Sequence, residues 1–364
     1  MKLYNELAAG VRLSELTNQQ LIAMSQQATN NLSSHIEQTP LVPLAMLDQQ
    51  GWLKIIYAKD ETQQPGHTFK IRGADVAIGQ YALQGARSVV TSSAGNHGQE
   101  VARAGKHYGL PVKVFVPSSA ENVKKQTMAD FGADVVEVDG DFSVSKVFGL
   151  KDAEQTGAQF VDPFADPLVM AGQGTLAFEL YKQLPNVTRV VLPVGGMGLL
   201  TGFGSVMKAL KPDVEIVGVQ PSGANTFVRS MQTGKLTSTE TSDSRFGGLA
   251  VRELDPRVFA LGCNVTDYAL QVGNDEVFRT VHQLCGIFDG KLFEAAGATG
   301  VAGCLQLDET VGSVTATVLT GSNASPEFGD FVNKLAVEHG WNHDGAIIDQ
   351  SRLTAVGEHS SKRT

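Results

Sequence analysis

A lysine in the run Pro65-Gly66-His67-Thr68-Phe69-Lys70-Ile71-Arg72-Gly73-Ala74 is the side chain of this sequence best suited to covalent chemistry. An amine between an aromatic residue and a short Arg-Gly-Ala turn is a candidate for a Schiff base with an aldehyde. A surface lysine opening a helix would present the same letters, so the reading depends on what accompanies Lys70. Two small-residue loops do. Thr91-Ser92-Ser93-Ala94-Gly95-Asn96-His97-Gly98-Gln99 follows a β-branched run and opens a helical pattern. Its small residues let the backbone approach a ligand, and the free N–H groups of a helix start suit an amino-acid carboxylate. Val194-Gly195-Gly196-Met197-Gly198-Leu199-Leu200-Thr201-Gly202 stands between a second strand and helix, where successive inward N–H groups form a phosphate cradle. A dinucleotide fingerprint is the competing reading of that loop, and it fails in detail. Starting from Gly196-x-Gly198, the third glycine position holds Thr201, and the next strand ends in Gln220 instead of an acid for a ribose.

These loops need strands and helices to hold them. Short apolar or β-branched runs at 55–58, 88–91, 112–116, 134–138, 189–194, 215–219 and 315–319 read as strands. Helical patterns lie between them at 73–84, 97–108, 121–131, 143–156, 174–183, 199–210, 274–286, 295–308 and 326–338. The alternation predicts an α/β fold, a parallel sheet with helices on both faces and its ligands at the carboxyl ends of the strands. Residues 16–35 read as a leading helix that Thr39-Pro40 ends, and the polar tail from Ser351 as frayed.

Composition narrows the classes. The 364 residues suffice for about two domains, and 42% hydrophobic residues supply a core. A net charge of −9 argues against nucleic acid or an anionic membrane as partner. No run reaches the ~18 apolar residues of a membrane span, and Met1 to Gly10 lack a secretion signal, so a cytoplasmic protein is expected. Cys263, Cys285 and Cys304 are far apart, with no metal-ligand spacing, and read as apolar thiols of a reducing compartment.

The lysine run resembles the Ser/Thr-Phe-Lys-x-Arg-Gly-Ala signature of fold-type II pyridoxal phosphate (PLP) enzymes, the threonine/serine dehydratases and serine racemases, and is most similar to threonine dehydratase. Asp166-Pro167-Leu168-Val169-Met170-Ala171-Gly172-Gln173-Gly174-Thr175 resembles the dehydratases' Asp-Pro-x-Val-x-Ala-Gly-Gln-Gly-Thr; the purely structural alternative is a loop feeding a helix capped by Thr175. The motifs arrive in family order over about residues 35–325. The resemblance implies a tryptophan synthase β-like architecture of two parallel-sheet α/β domains. The large PLP-binding one comprises 1–78 and 165–364, and the small one, 79–164, carries the carboxylate loop. It implies that Lys70 is catalytic. Around the cofactor it implies Phe69, Asn96 at the phenolic oxygen, the cradle Gly195, Gly196, Met197, Gly198 and Leu199, Glu294 near the ring, and Thr320 at the ring nitrogen. Ser93, Ala94, Gly95 and His97 then hold the substrate. Phe246-Gly247-Gly248-Leu249-Ala250-Val251 loosely matches a segment whose backbone runs beside the cofactor.

The departures carry information too. Met197 replaces a cradle glycine, which demands either negative φ or a strained left-handed backbone. Racemases carry a serine where Ala94 stands, so two-base racemisation is disfavoured. Gln220 and Thr226 replace the acids of a family cation site, so no metal is expected there. The chain ends at Thr364, and a C-terminal regulatory domain is not expected. The resemblance therefore implies an ammonia-lyase that removes water from a small hydroxy-amino acid, L-threonine or L-serine, acting as a homodimer. A 3-hydroxyaspartate dehydratase or racemase is the alternative, with His67 a possible cation for a second carboxylate. A non-catalytic amino-acid sensor and a nicotinamide-dependent dehydrogenase are the readings from other classes.

Overall fold

The computed structural model describes residues 12–239, 243–308, 312–343 and 345–348; Met1 to Gly10 and the tail from Ser351 lie outside the described residues. Eleven strands are found among the described residues: β1 (Leu41–Leu47), β2 (Leu53–Asp60), β3 (Val89–Ser92), β4 (Val112–Pro117), β5 (Asp134–Val138), β6 (Gln159–Phe160), β7 (Arg189–Pro193), β8 (Glu215–Pro221), β9 (Tyr268–Val272), β10 (Thr315–Leu319) and β11 (Gly345–Ile347). They form a seven-stranded sheet in the order β11-β1-β2-β10-β7-β8-β9 and a four-stranded sheet in the order β5-β4-β3-β6. The small sheet is wholly parallel, as is the large one from β2 to β9, but β1 runs antiparallel to both β2 and β11.

The central strands are apolar on both faces because both are covered. In β7, Val190 and Leu192 enter one core and Val191 the other; in β10, Ala316 and Val318 face the first core and Leu319 the second. The helices Asn18–Asn30, Pro167–Gln183 and Gly198–Leu210 fill one side, while Asn274–Ile287, Ala295–Gln306 and Pro326–His339 fill the other. The period-2 alternation of strands thus sorts residues between two hydrophobic layers.

All seven expected strands and nine expected helices form, with ends moved by a few residues. Two readings need correction. Gln173-Gly174-Thr175 is no loop: the helix starts at Pro167, and the Asp166 carboxylate accepts from the N–H groups of Leu168 and Val169 at 2.8 and 3.4 Å. Proline at the first helical position is favoured because its missing N–H is not needed there. The leading helix ends at Asn30, well before Thr39-Pro40. β1 escaped prediction because Pro43 interrupts it; proline is tolerated there because β1 lies toward the sheet edge, paired outward only by the three residues of β11.

Candidate active site

The carboxyl ends of β2, β10 and β7, together with the end of β3, deliver the predicted residues to one region. Lys70 opens the helix Lys70–Leu83, and its start is clipped to the end of β10: the N–H of Phe69 donates to Thr320 O at 3.1 Å, and that of Ser322 to His67 O at 3.0 Å. The Thr68 hydroxyl adds a third bond to Thr320 O at 3.1 Å. Lys70 Nζ donates to the carbonyl of Pro163 at 3.0 Å and lies 5.1 Å from the centre of the Phe69 ring. Burial lowers its pKa to about 8, while the Asp162 carboxylate pulls weakly the other way. Part of the residue stays exposed, so this is a desolvated amine with an open approach.

Arg72, in the same motif, serves a different purpose. It is fully buried and turned into the protein body, 2.7 Å from Glu61 and 2.7 Å from Glu179, with Lys59 2.8 Å from Glu179. Burial alone would lower its pKa, but the two carboxylates outweigh that and hold it above its ordinary value.

After β3 comes the helix Asn96–Tyr108, whose first N–H groups have no carbonyl behind them. The Ser93 hydroxyl accepts from Gly95 N at 3.2 Å, which shapes the turn, and Ala94, Gly95 and Asn96 remain partly open. The His97 ring is buried, with Nε2 3.3 Å from Val161 O. Burial, aided by Lys70, lowers its pKa to about 3, so it is neutral, and the bond to a carbonyl assigns the proton to Nε2. Its Nδ1 is a buried acceptor with no partner among the described residues. The imidazole therefore has no proton left for a carboxylate; what His97 offers an anion is its backbone N–H.

The loop after β7 has the character of a cradle. The N–H groups of Gly195, Gly196 and Met197 make no hydrogen bond to any described residue, and they lead into the N-terminus of Gly198–Leu210. Met197 takes the strained option, φ +71°, and its side chain is buried against Gly262 instead of filling the cradle. A Cβ on Gly195 would overlap the carbonyl of Gly248, so the 246–251 segment does run against this loop. A Cβ on Gly196 would overlap the Phe164 ring. Leu199 is buried behind the cradle. Opposite, Glu294 precedes the helix Ala295–Gln306; burial raises its pKa, partly offset by the Asn96 amide that donates to it at 2.8 Å. The Thr320 hydroxyl donates to Ala296 O at 3.2 Å, and rotation about its C–O bond redirects that proton.

A desolvated amine beside an uncommitted anion cradle and an aromatic wall fits a phosphorylated aldehyde such as PLP. Lys70 would hold the aldehyde carbon, residues 195–198 the phosphate, and Asn96, Glu294 and Thr320 the ring's polar edge.

Two features were missed. The Asp162 carboxylate accepts from Phe164 N and Ala165 N at 3.0 and 2.8 Å and pairs with Lys146, and this turn aims the Pro163 carbonyl at Lys70. Asp162-Pro163, an acid before a proline, is an ordinary turn signal that precedes the recognised stretch by four residues. Asn323, three residues beyond Thr320, donates to Asn96 Oδ1 at 2.9 Å. His67, exposed and at φ +55°, faces Thr62 O. Gln220, where an acid was expected of the family, caps Thr226–Thr233 by accepting from Phe227 N at 2.8 Å and donates to Val194 O at 2.9 Å. A cavity of about 210 Å³ lined by Asp48, Glu276, Arg279 and Trp341 includes none of the candidate residues.

An α/β protein with a desolvated lysine and a loop of uncommitted N–H groups at the carboxyl ends of its strands fits the class of enzymes that work through a bound aldehyde cofactor. A family profile described as "Pyridoxal-phosphate dependent enzyme" matches residues 32–321, and the chain belongs to that family. It is 33% identical over 317 residues to an L-threonine ammonia-lyase of Thermotoga maritima, covering 86% of this chain and 78% of that protein. It is 32% identical over 300 residues to an L-threonine ammonia-lyase of Geobacter sulfurreducens, covering 82% and 74%. Among solved structures, the processed form of threonine deaminase isoform 2 from Solanum lycopersicum superposes with a TM-score of 0.77 at 26% identity, covering 88% of this chain and 89% of that one.

Proposed function

We propose that this protein is a PLP-dependent ammonia-lyase that removes water from a small hydroxy-amino acid, L-threonine or L-serine, and releases a 2-oxo acid and ammonia. The observation that carries the reading is the placement of Lys70, whose Nζ donates to Pro163 O at 3.0 Å, in one site with the loop of uncommitted N–H groups at 195–197. Similarity to two L-threonine ammonia-lyases supports the substrate class. When bound, PLP supplies an electron-withdrawing ring that stabilises negative charge at the substrate Cα. Lys70, its pKa lowered by burial to about 8, takes the Cα proton in its free-amine form. The Ser93 hydroxyl and the N–H groups opening Asn96–Tyr108 hold the carboxylate, which fixes the Cα–H bond toward Lys70. Asn96 and Glu294 hold the ring edge, and Thr320 its nitrogen. A neutral hydroxyl at that nitrogen gives the ring less pull than a carboxylate would, which favours prompt loss of the β-hydroxyl. Ala94 carries no proton for the opposite face of Cα, so elimination is favoured over racemisation.

In this reading residues 79–164 form the small domain that brings the carboxylate loop to a large domain of 1–78 and 165–364. The enzyme is a cytoplasmic homodimer whose partners are small amino acids, not nucleic acid or membrane; free thiols at Cys263, Cys285 and Cys304 and a net charge of −9 support this. The test is 2-oxo acid release by PLP-loaded protein offered L-serine, L-threonine, their D-forms and the 3-hydroxyaspartates. Turnover of L-threonine or L-serine is expected, and Lys70→Ala should abolish it together with the Schiff-base absorption. An unreactive panel, or a fully active Lys70→Ala, rejects the assignment.

A further inference from the structure

An amide such as that of Asn96 has two orientations, and only the one its neighbours impose offers a proton to the cofactor. Its Nδ2 donates to Glu294 Oε2 at 2.8 Å, and its Oδ1 accepts from Asn323 Nδ2 at 2.9 Å. The second Nδ2 proton of Asn323 goes to the backbone carbonyl of Gly66 at 2.8 Å. A carbonyl only accepts, so it dictates which end of Asn323 faces it. Turning Asn323 over would set its oxygen against Gly66 O and against Asn96 Oδ1. The order therefore propagates from Gly66 O through Asn323 to Asn96, whose Nδ2 keeps one proton not used by Glu294. Gly321 lies beside this chain, where any Cβ would overlap the Glu294 carboxylate and crowd Asn96 Nδ2 at 3.3 Å. Gly66 belongs to the lysine loop and Asn323 to the loop after β10, which are already stitched together by the antiparallel bridge of Thr68 with Gly321. The amide's orientation is thus set by the same loops that place Lys70.

We infer that Asn323 is a positioning residue: it fixes the Asn96 amide so that an N–H, not a lone pair, faces the phenolic oxygen of the cofactor. This rests on the PLP reading above and on Asn96 reaching that oxygen. A donor there favours the ionised phenolic oxygen and the protonated imine of the lysine linkage. Losing it shifts the pH at which the bound cofactor's absorption changes.

The experiment uses the full-length protein loaded with PLP, with spectra followed against pH and PLP affinity measured by titrating the cofactor-free form. A hydrogen bond to a charged partner contributes about 1.5–3 kcal/mol, so Asn323→Ala should bind PLP roughly tenfold or more weakly. Its spectral transition should move by about one pH unit. In an Asn96→Ala background, Asn323→Ala should change neither quantity further, because Asn323 acts through Asn96. Asn323→Ser, which keeps one donor on a small side chain, gives the same direction with a smaller shift and serves if the alanine variant does not fold. A purely structural Asn323 would lower the urea midpoint and leave spectrum and affinity as in the wild type, which overturns the inference. So would effects of Asn96→Ala and Asn323→Ala that add. A wild type that develops no Schiff-base absorption with PLP rejects the functional reading and this inference together. A wild type that does, beside an Asn323→Ala protein of unaltered spectrum, rejects the inference alone.

Discussion

Only the neutral amine of Lys70 attacks an aldehyde, so its proton affinity sets the pH at which the cofactor-free protein captures PLP. Burial has already lowered that pKa from 10.5 to about 8, with Asp162 opposing. The rate of Schiff-base formation should therefore rise with a midpoint near pH 8, as read by stopped-flow absorbance; a midpoint near the ordinary lysine value contradicts the burial. Met197 supplies a second test at this scale. Its left-handed backbone costs about 1–2 kcal/mol relative to glycine, yet its side chain is almost fully buried, and removing such a chain costs about 2–5 kcal/mol. The second term is larger, so Met197→Gly should destabilise the protein by about 1–3 kcal/mol in urea unfolding while leaving PLP affinity intact, since the thioether points at Gly262 and not into the cradle. Lys70 and the glycines were legible in the sequence because their chemistry demands those residue types. Asp162 and Asn323 were not, because what they do depends on distant partners, Lys146 for the first and Gly66 and Asn96 for the second, that only the fold brings within 3 Å.

A helix that carries the candidate Schiff-base lysine at its first residue has to be held from behind. Lys70–Leu83 is held by Arg72, whose guanidinium lies between Glu61, just beyond β2, and Glu179 in Pro167–Gln183. Thr39 donates to Glu61 at 2.6 Å and Lys59 completes the cluster. Taking one partner from such a buried set leaves uncompensated charge, at a cost of about 3–5 kcal/mol. Arg72→Ala should lose that much in urea unfolding, where a loss below about 1 kcal/mol would show the cluster to be dispensable. Sequence reading placed the arginine in the motif but not its purpose, since a conspicuous charge beside a reactive lysine looks functional until its burial is seen. The same limit explains the element boundaries. Helical periodicity located nine helices, but Asp166-Pro167 and Asp255-Pro256 cap helices whose starts went unread, the first read as beginning too late and the second missed. β9 was missed because only Val272 in its run is β-branched, whereas the equally exposed β5 carries three valines.

Across the whole molecule, the helix Asn96–Tyr108 that follows β3 closes onto the lysine loop through one buried acid. Glu100 lies flat on Gly66, where a Cβ would overlap its carboxylate, and it pairs with Arg103 at 3.1 Å. Arg103 reaches on to Pro65 O at 3.3 Å. Burial raises the Glu100 pKa to about 7, and Arg103, partly exposed and alone, does not offset it. The sign follows from proton counting: between the ordinary carboxylate pKa and about 7 the folded protein binds the extra proton, so raising the pH through that window costs stability. A shift from 4.5 to about 7 corresponds to about 3 kcal/mol once the group is ionised. Glu100→Gln fills the same space, keeps an acceptor for Arg103 and has no proton to lose. The variant should match the wild type near pH 4.5, gain on it steadily toward pH 7, and hold a lead of up to about 3 kcal/mol at pH 8. Comparing the two proteins cancels the titration of every other group, so urea midpoints across pH 4.5–8 read Glu100 alone. A difference that stays flat over that range would mean Arg103 keeps the carboxylate ionised throughout, and that the contact between the carboxylate-loop helix and the lysine loop is an ion pair insensitive to pH.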